Sequence, residues 1–410
     1  MDSERQLEVV LITKDQDYAI PSTPVMIPVN ATCENLEEII KTIFKSQNDS
    51  VNFEEIEFDF LIYDKLVRVT LEEFCQQENI GLEKQIEIEY FVKSLPPEPH
   101  KSLKHEDWVS SVDTLEDFII SGCYDGSIHI WNVLTGKHLL SFTAHQLPIK
   151  AVQWIRDSGD ENLFVTCSHD ETASIWSWSK KDNKISKKSV FIGHVRSVDC
   201  CDERGGIIAT GSYDRLLKIW SLNSEKSIED DAKGKLQSPV MTLEGHKEAI
   251  TGCTFMESDE SEAVIATCSL DNTIRIWDVE TREQKQILNS NKAFLDIANS
   301  TQNGLLLTAS CDRHIRCWDP RVHEGVQVKS VYTSHTNWVS SVEWSENDPN
   351  LFISGSYDFA VKQWDLRSTS APLFDMLGHR DKILSVNWAN PDYMISGSAD
   401  NMIKIFACKK

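Results

Sequence analysis

The chain has 410 residues, 40% of them hydrophobic, and its 64 acidic against 41 basic residues give a formal charge of −23. The apolar content suffices for a folded core. The acidic surplus argues against extensive nucleic-acid binding, because such binding needs clustered Lys and Arg. No stretch approaches the roughly 20 apolar residues of a membrane helix, and the N-terminus lacks a secretory leader, so we expect neither a membrane partner nor secretion.

The N-terminal region predicts a small α+β domain over residues 1–94. Strands are predicted over 6–13, 19–29, 58–63, 66–69 and 86–92, with helices over 34–45 and 71–78. Leu36 and Ile40 belong to the apolar face of the first helix, and Thr70 with Glu73 fits a capping box for the second. The order ββαββαβ is that of a ubiquitin-like β-grasp, and the missing terminal Gly-Gly argues against conjugation to substrates.

A proline-rich segment then leads into a repeat. One 12-residue phrase, a strand, an Asp turn and a second strand, recurs at steps of mostly a little over forty residues, the period of a WD-repeat blade. The seven copies begin at Ser121, Thr166, Thr210, Thr267, Thr308, Ser354 and Ser396. We therefore expect a mainly β chain whose residues 105–410 form a seven-bladed WD-repeat β-propeller. Residues 95–104 are expected to be a linker and the strand that closes the ring.

The WD-repeat pattern links an upstream His, a Ser or Thr, the Asp and the Trp of each blade in one buried hydrogen-bonded tetrad. In the second blade we expect His145, Ser168, Asp170 and Trp176. The other expected members are His105, Asp125 and Trp131; His194, Ser212, Asp214 and Trp220; His246, Ser269, Asp271 and Trp277; Asp312 and Trp318; His335, Ser356, Asp358 and Trp364; and His379, Ser398 and Asp400. A Ser, a His and an Asp also invite a catalytic interpretation, but their repetition around a ring favours a structural one.

Several features depart from the repeat. The first blade has Cys123 in place of Ser, the fifth has Ser290 or its neighbours where the His is expected, and the seventh has Phe406 in place of Trp. The polar stretch 223–238 looks like an exposed insertion, either a disordered segment, which we favour, or a docking loop. The eleven cysteines form no CxxC pair, so we expect buried thiols in a reducing compartment and no metal or cofactor held by this chain alone.

Both regions together resemble a known family. The phrases FDFLIYDKLVRVTLEEF (58–74), IEIEYFVKSLPPEP (86–99) and HEDWVSSV (105–112) are similar to those of the Notchless-type ribosome-assembly proteins. Within that group the chain resembles the seven-bladed WD-repeat member of the Pescadillo–Bop–WD-repeat (PeBoW) complex. The likeness spans essentially the whole chain, and its N-terminal phrases are more specific than the WD phrases.

The resemblance implies a non-enzymatic assembly factor of the large ribosomal subunit that supports maturation of its rRNA. Its implied partners are a Bop-type WD-repeat protein, Pescadillo, the AAA+ ATPase midasin and pre-large-subunit particles, with direct RNA contact minor or absent. In the family, a Glu before the last β-grasp strand enters midasin's metal site. Alignment on that strand puts this Glu at Glu83, with Glu78 and Glu87 as the alternatives if the register differs.

The implied location is the nucleus, in nucleolus and nucleoplasm. The run KKDNKISKK (180–188) loosely resembles a nuclear import signal but equally fits an exposed hairpin of the second blade. Two other functions stay open: a substrate adaptor of a ubiquitin ligase or proteasome, and an enzyme. No clear hydrophobic ubiquitin-type patch supports the adaptor, and no phosphate loop, metal cluster or nucleophile elbow supports the enzyme.

Overall fold

The computed structural model describes residues 5–14, 16–47, 56–63, 65–81, 85–156, 162–222, 227–228, 235–256, 263–322, 325, 327–369 and 371–408. The chain divides into two compact units, and the division falls between Leu95 and Pro96. The predicted ring-closing segment therefore belongs to the second unit.

The N-terminal unit is a five-stranded sheet with two helices. Its strands are Gln6–Ile12, Val25–Pro28, Phe58–Ile62, Lys65–Leu66 and Ile86–Val92, its α-helices are Cys33–Gln47 and Leu71–Gln77, and Gln16–Tyr18 forms a 3-10 turn. The strand order in the sheet is second, first, fifth, third, fourth, and the first and fifth strands run parallel. This order confirms the predicted β-grasp. Neither α-helix in the described part of the chain is long and apolar enough to cross a membrane.

Buried and exposed side chains alternate along the first strand of this unit, and the buried ones form part of its core. Leu7, Val9 and Leu11 point inward from the first strand, because successive side chains of a strand face opposite sides. Leu36 and Ile40 of the long helix pack against them in the same buried cluster. The second helix begins as predicted, since the backbone N–H of Glu73 donates to Thr70 Oγ1 at 3.3 Å.

The second unit consists of seven sheets, each with four antiparallel blade strands, as the fold-class prediction expects. The first blade comprises Val109–Leu115, Phe118–Cys123, Ser127–Asn132 and His138–Thr143; the second Ile149–Ile155, Asn162–Ser168, Ala173–Ser179 and Lys184–Phe191; the third Val198–Arg204, Ile207–Ser212, Leu217–Ser221 and Met241–Leu243. The fourth comprises Ile250–Met256, Val264–Ser269, Thr273–Asp278 and Gln284–Asn289; the fifth Phe294–Asn299, Leu306–Ser310, His314–Trp318 and Val328–Thr333. The sixth comprises Val339–Trp344, Leu351–Ser356, Val361–Asp365 and Phe374–Met376.

The seventh blade combines the two ends of the propeller sequence. It comprises Ile383–Asn390, Tyr393–Ser398, Met402–Ala407 and, as its outer strand, Glu98–Lys104. This outer strand pairs antiparallel with the third strand and places Leu103 opposite Ile403. The inner strands of the seventh and first blades also join, since Thr114 Oγ1 donates to Asn387 Oδ1 at 2.6 Å. The chain thus leaves no unpaired outer edge on its last blade.

The insertion differs in part from the sequence expectation of disorder. Within residues 223–238, Ser227–Ile228 and Lys235–Gln237 are strands, and Lys235–Gln237 pairs parallel with the outer strand of the second blade. Gln237 is buried and its amide Nε2 donates to Ser189 Oγ at 3.2 Å. The described part of the insertion therefore extends the second blade.

Candidate protein-interaction site

Five blades, the second, third, fourth, sixth and seventh, share one hydrogen-bonded chain at the Asp turn. In the fourth blade, His246 Nδ1 lies 2.9 Å from Asp271 Oδ2, and His246 Nε2 lies 2.8 Å from Thr267 Oγ1. The indole N–H of Trp277 donates to the same hydroxyl at 2.8 Å. His–Asp contacts of 2.8 to 2.9 Å also join His145 to Asp170, His194 to Asp214, His335 to Asp358 and His379 to Asp400.

The hydroxyl in these chains is not the predicted serine but the Thr or Ser two residues earlier. In the second blade Trp176 donates to Thr166 Oγ1 at 3.0 Å, while Ser168 accepts from the backbone N–H of Asp170 at 3.1 Å. Strand pairing sets Trp176 opposite Phe164, so the indole reaches Thr166 and leaves Ser168 at the turn. The same correction applies to Ser212, Ser269, Ser356 and Ser398, which give way to Thr210, Thr267, Ser354 and Ser396.

The polar atoms of a tetrad form hydrogen bonds with one another. Burial opposes the charge of Asp358, but the hydrogen bonds from His335 and from the backbone N–H groups of Thr336 and Ala360 outweigh it and lower the pKa of this carboxyl to about 2. The side chain of His335 is 1% exposed, and both of its ring nitrogens are occupied, by Asp358 and by Ser354. Such an imidazole stabilises the turn, and neither of its nitrogens is free to accept a proton from a substrate.

Two blades replace one member of the tetrad. In the fifth blade Arg316 takes the place of the missing His, and its guanidinium donates to both oxygens of Asp312 at 3.1 and 2.5 Å. The indole N–H of Trp318 still donates to Thr308 Oγ1 at 2.9 Å. In the seventh blade Phe406 occupies the Trp position and is buried, so packing replaces the indole hydrogen bond.

The first blade departs furthest. His105 Nε2 lies 2.9 Å from Ser121 Oγ, and the indole N–H of Trp131 donates to that same nitrogen at 3.3 Å. Asp125 is exposed and turns away, with its Oδ1 accepting from the backbone N–H and the hydroxyl of Ser127 at 2.8 and 2.5 Å. The predicted contact between His105 and Asp125 is therefore absent from the hydrogen bonds of the described residues.

The seven inner strands surround a central channel of about 380 Å³. Its lining includes five acidic side chains, Asp113, Asp199, Asp202, Asp296 and Glu343. Asp113 accepts the backbone N–H of Trp154 in the next blade at 2.7 Å, and Asp202 and Asp296 accept from their next blades in the same way. Burial raises the pKa of Asp296 to about 6, and burial together with the charge of Asp296 raises the pKa of Glu343 well above its usual range. Asp113, Asp202 and Asp296 therefore join neighbouring blades.

An aromatic–lysine strip crosses the propeller face that carries the Asp turns. It consists of Trp338, Tyr357, Lys382, Trp108, Tyr124 and Lys150. The rings of Trp338 and Tyr357 stack with centroids 5.8 Å apart, and Lys382 Nζ lies 5.3 Å from Tyr357 and 5.0 Å from Trp108. Tyr124 continues the strip, 5.2 Å from Trp108 and 5.8 Å from Lys150 Nζ. Exposed aromatic side chains in contact with one another mark a surface for a protein partner.

Sequence reasoning missed this strip, although a signal was present. Trp108 and Trp338 are 36% and 46% exposed, which is unusual for side chains of this size. The phrase His-x-x-Trp-Val-Ser-Ser-Val occurs twice, at 105–112 and at 335–342, and both tryptophans occupy its fourth position. A second shared phrase outside the WD pattern pointed to these two blades.

The predicted partner-binding Glu83 lies outside the described residues, between the end of the second helix and the start of the last β-grasp strand. Of the two alternatives, Glu78 forms an ion pair with Lys65 Nζ at 2.5 Å. Glu87 is exposed on the outer face of the last strand. The run 180–188 forms a turn and the start of the outer strand in the second blade, the hairpin that the sequence also allowed.

Comparison with known proteins matches both parts of the chain. Residues 7–75 match the family model of the NLE (NUC135) domain, and seven segments between 97 and 406 match the WD domain, G-beta repeat. The chain is 44% identical to a "Ribosome biogenesis protein WDR12 homolog" of Ixodes scapularis, over 100% of both chains. It is 38% identical to proteins of the same name from Aedes aegypti, over 99% of this chain and 96% of that one, and from Drosophila mojavensis, over 100% and 97%. The seven matched segments confirm the predicted number of repeats.

Proposed function

This chain belongs to the family of the WDR12 ribosome biogenesis proteins, and from that membership we propose that it is a non-enzymatic assembly factor of the large ribosomal subunit. Identity over the full length of both chains is the observation that carries the proposal, because it includes the N-terminal domain as well as the propeller. The factor supports maturation of large-subunit rRNA and works in the nucleus, in nucleolus and nucleoplasm.

The propeller docks a Bop-type WD-repeat protein, which in turn holds Pescadillo. The aromatic–lysine strip is the surface that we assign to this contact. Its exposed indoles supply the large, rigid anchors on which protein interfaces depend, and its lysines add positive charge to a chain of net charge −23. The tetrads beneath the strip hold its turns in place, so their role in docking is to keep this face rigid.

The N-terminal domain engages midasin through Glu83, which releases the factor from pre-ribosomal particles. A hard divalent cation prefers oxygen ligands, and a protein site that leaves one position open can accept a carboxylate from a partner. Glu83 precedes the last strand of the sheet, Ile86–Val92, by three residues, so a pulling force applied at Glu83 would reach the β-grasp sheet through that strand. The cation belongs to midasin and not to this chain.

Docking of the propeller is tested by purifying tagged chains from nuclear extract and quantifying the Bop-type partner and Pescadillo. Trp108→Ala combined with Trp338→Ala removes two anchors, each worth about 2 kcal/mol or more at an interface. We therefore expect about a 30-fold loss of affinity from each change alone and a loss of several hundred-fold from the two together. Leu134→Ala is the matched control, because Leu134 is 48% exposed at the opposite end of the first blade. Wild-type recovery by the double variant excludes the strip, and recovery of cullin or proteasome subunits instead of Pescadillo contradicts the proposed function.

The midasin contact is tested in a pull-down with Mg²⁺ present. Glu83→Ala and Glu83→Asp should each abolish midasin binding, the second because the carboxylate no longer reaches the cation, while the Bop-type partner is retained. Glu87→Gln, on the outer face of the same sheet, should bind as the wild type does. Unchanged midasin affinity of Glu83→Ala contradicts the assignment, and loss with Glu87→Gln alone moves the ligand to that residue.

A further inference from the structure

The first blade contains a buried imidazole nitrogen with no hydrogen-bond partner among the described residues, His105 Nδ1. The corresponding nitrogen contacts an Asp carboxylate in five other blades, whereas Asp125 is turned outward here. His105 itself is 2% exposed, so water does not replace the missing carboxylate freely. A buried polar atom without a partner is costly, and its position in this blade therefore calls for a ligand.

Two metal-ligating side chains stand beside His105. One nitrogen of His105, one nitrogen of His129 and the Sγ of Cys123 all lie within 4.8 Å of one another. Both neighbours are departures from the repeat: the position of Cys123 holds Ser in the other six blades, and the position of His129 holds Ser, Lys or Arg. The first blade has thus exchanged its carboxylate contact for a thiol and a second imidazole.

A third histidine supports the second. His129 Nδ1 lies 3.1 Å from His138 Nε2 on the adjacent outer strand, and the ring of His138 packs on Trp131 with centroids 4.4 Å apart. Histidines that bind metals usually donate their other N–H to such a neighbour, which fixes the ring and its tautomer. With Nδ1 engaged in this way, a cation would bind His129 Nε2 and displace the Ser127 hydroxyl, whose Oγ lies 3.0 Å from that nitrogen.

The burial of the three side chains suits a bound cation. His105 and Cys123 are 2% and 0% exposed, and His129 is half-buried. A cation bound there would ionise the thiol that it contacts.

We infer that the first blade holds a Zn²⁺ ion through His105 Nδ1, Cys123 Sγ and His129 Nε2, with one position open to water. Two imidazoles and a thiolate are a zinc ligand set. Zn–N and Zn–S bonds of about 2.0 and 2.3 Å place the ligand atoms about 3.5 Å from one another. The three ligand atoms, now within 4.8 Å of one another, would therefore have to approach by about 1 Å.

The protons balance on binding. Cys123 releases its thiol proton to solvent, one per ion. The proton of neutral His105 moves from Nδ1 to Nε2, where it donates to Ser121 Oγ, already 2.9 Å away. The proton of His129 moves from Nε2, where it donates to Ser127 Oγ, to Nδ1, where it donates to His138 Nε2. The indole N–H of Trp131 then turns from His105 to the Ser121 hydroxyl, the arrangement that the indoles of four other full or partial tetrads already have at 2.8 to 2.9 Å.

The test is a Zn²⁺ titration of the full chain in competition with a chromophoric chelator, followed by Co²⁺ substitution. We expect one tight site per chain and, with Co²⁺, a thiolate-to-metal charge-transfer band and the intense visible bands of tetrahedral cobalt. Cys123→Ser should abolish the tight site and the charge-transfer band. It introduces the residue that the other blades have at this position, so the fold tolerates it. His138→Gln should weaken binding about 10- to 100-fold, as loss of a supporting residue does.

Cys311→Ser is the matched control, because Cys311 is a thiol that directly precedes the Asp of the turn in the fifth blade, where it is half-buried. It should keep both the affinity and the cobalt spectrum. The proposal fails if the wild type binds no Zn²⁺ tightly, or if Cys123→Ser and Cys311→Ser bind alike. It also fails if a structure determined with Zn²⁺ shows Asp125 turned inward onto His105, which would complete an ordinary tetrad.

Discussion

Removing one tetrad hydroxyl tests both the corrected assignment and the structural role of these sets. Thr267→Val keeps the shape of the side chain and deletes the hydroxyl that accepts from Trp277 and contacts His246, both at 2.8 Å. Two buried polar groups then lose a partner, at about 1–3 kcal/mol each, so we expect a destabilisation of about 2–6 kcal/mol. Ser396→Ala in the seventh blade should cost only about 1–3 kcal/mol, because Phe406 has no indole to leave unsatisfied.

The assay is thermal unfolding of the full chain followed by circular dichroism. With an unfolding entropy of about 2.1 cal/mol/K per residue, a propeller of roughly 300 residues loses about 1.5 °C of Tm per kcal/mol, so Thr267→Val should melt about 3–9 °C lower. Thr281→Val makes the same change on an exposed residue of the same blade and should melt within about 1 °C of the wild type. A Thr267→Val protein that melts with this control, or no earlier than Ser396→Ala, refutes the reasoning.

Three further predictions concern closure, the channel and the fifth blade. Leu103→Ala deletes a buried side chain of the closing strand and should lower the free energy of unfolding in urea by about 2–5 kcal/mol. Ser102→Ala, at the preceding position, should lower it by well under about 1 kcal/mol. Equal losses would mean that the strand does not close the ring. Glu343 has a raised pKa when folded, so its contribution favours the fold below its unfolded pKa and is lost as pH rises through the folded value. Glu343→Gln should therefore raise Tm more at pH 7.5 than at pH 4.5, and a uniform shift would contradict this. Arg316→Met leaves the Asp312 carboxylate without its cation and should cost about 1.5–3 kcal/mol at pH 7. The deficit should shrink as pH falls from about 4 towards 2, because Arg316 helps to hold the pKa of Asp312 at about 2, and Arg313→Met, an exposed neighbour, should show none of it.

The ring and the β-grasp were predictable because each rests on a period. Both patterns are local and repeated. The Asp turn recurs seven times at blade spacing, and polar and apolar residues alternate along the strands of the first unit, so neither pattern is a coincidence. Boundaries were less accurate where one residue type overrides the pattern. The predicted strand 19–29 begins only at Val25, because Pro21 and Pro24 lack the N–H group that a strand ladder requires.

The tetrad hydroxyl could not be fixed in the same way. Thr166 and Ser168 are both hydroxyl residues on one face of one strand, so alternation does not separate them. Only the pairing register, which sets Trp176 opposite Phe164, shows which of the two the indole reaches. The aromatic–lysine strip was beyond sequence patterns for a related reason, since Lys382 bridges Tyr357 and Trp108 across the junction between the two ends of the propeller.

Because the blades repeat one sequence pattern, a residue that departs from the pattern in one blade can be compared with the residues at the same position in the other six. A cysteine in a strand of an unrelated protein is ordinarily a small apolar residue. Cys123 sits where six sister blades have Ser, next to a histidine that none of them has and below an Asp that has turned away. In the fifth blade, by contrast, Arg316 restores the charge balance of Asp312 within the blade, so this carboxylate keeps a partner, and His314 Nδ1 lies 3.4 Å from the same carboxylate. The same scaffold therefore separates a compensated substitution from one that leaves a buried nitrogen without a partner, and only the second kind points to a ligand.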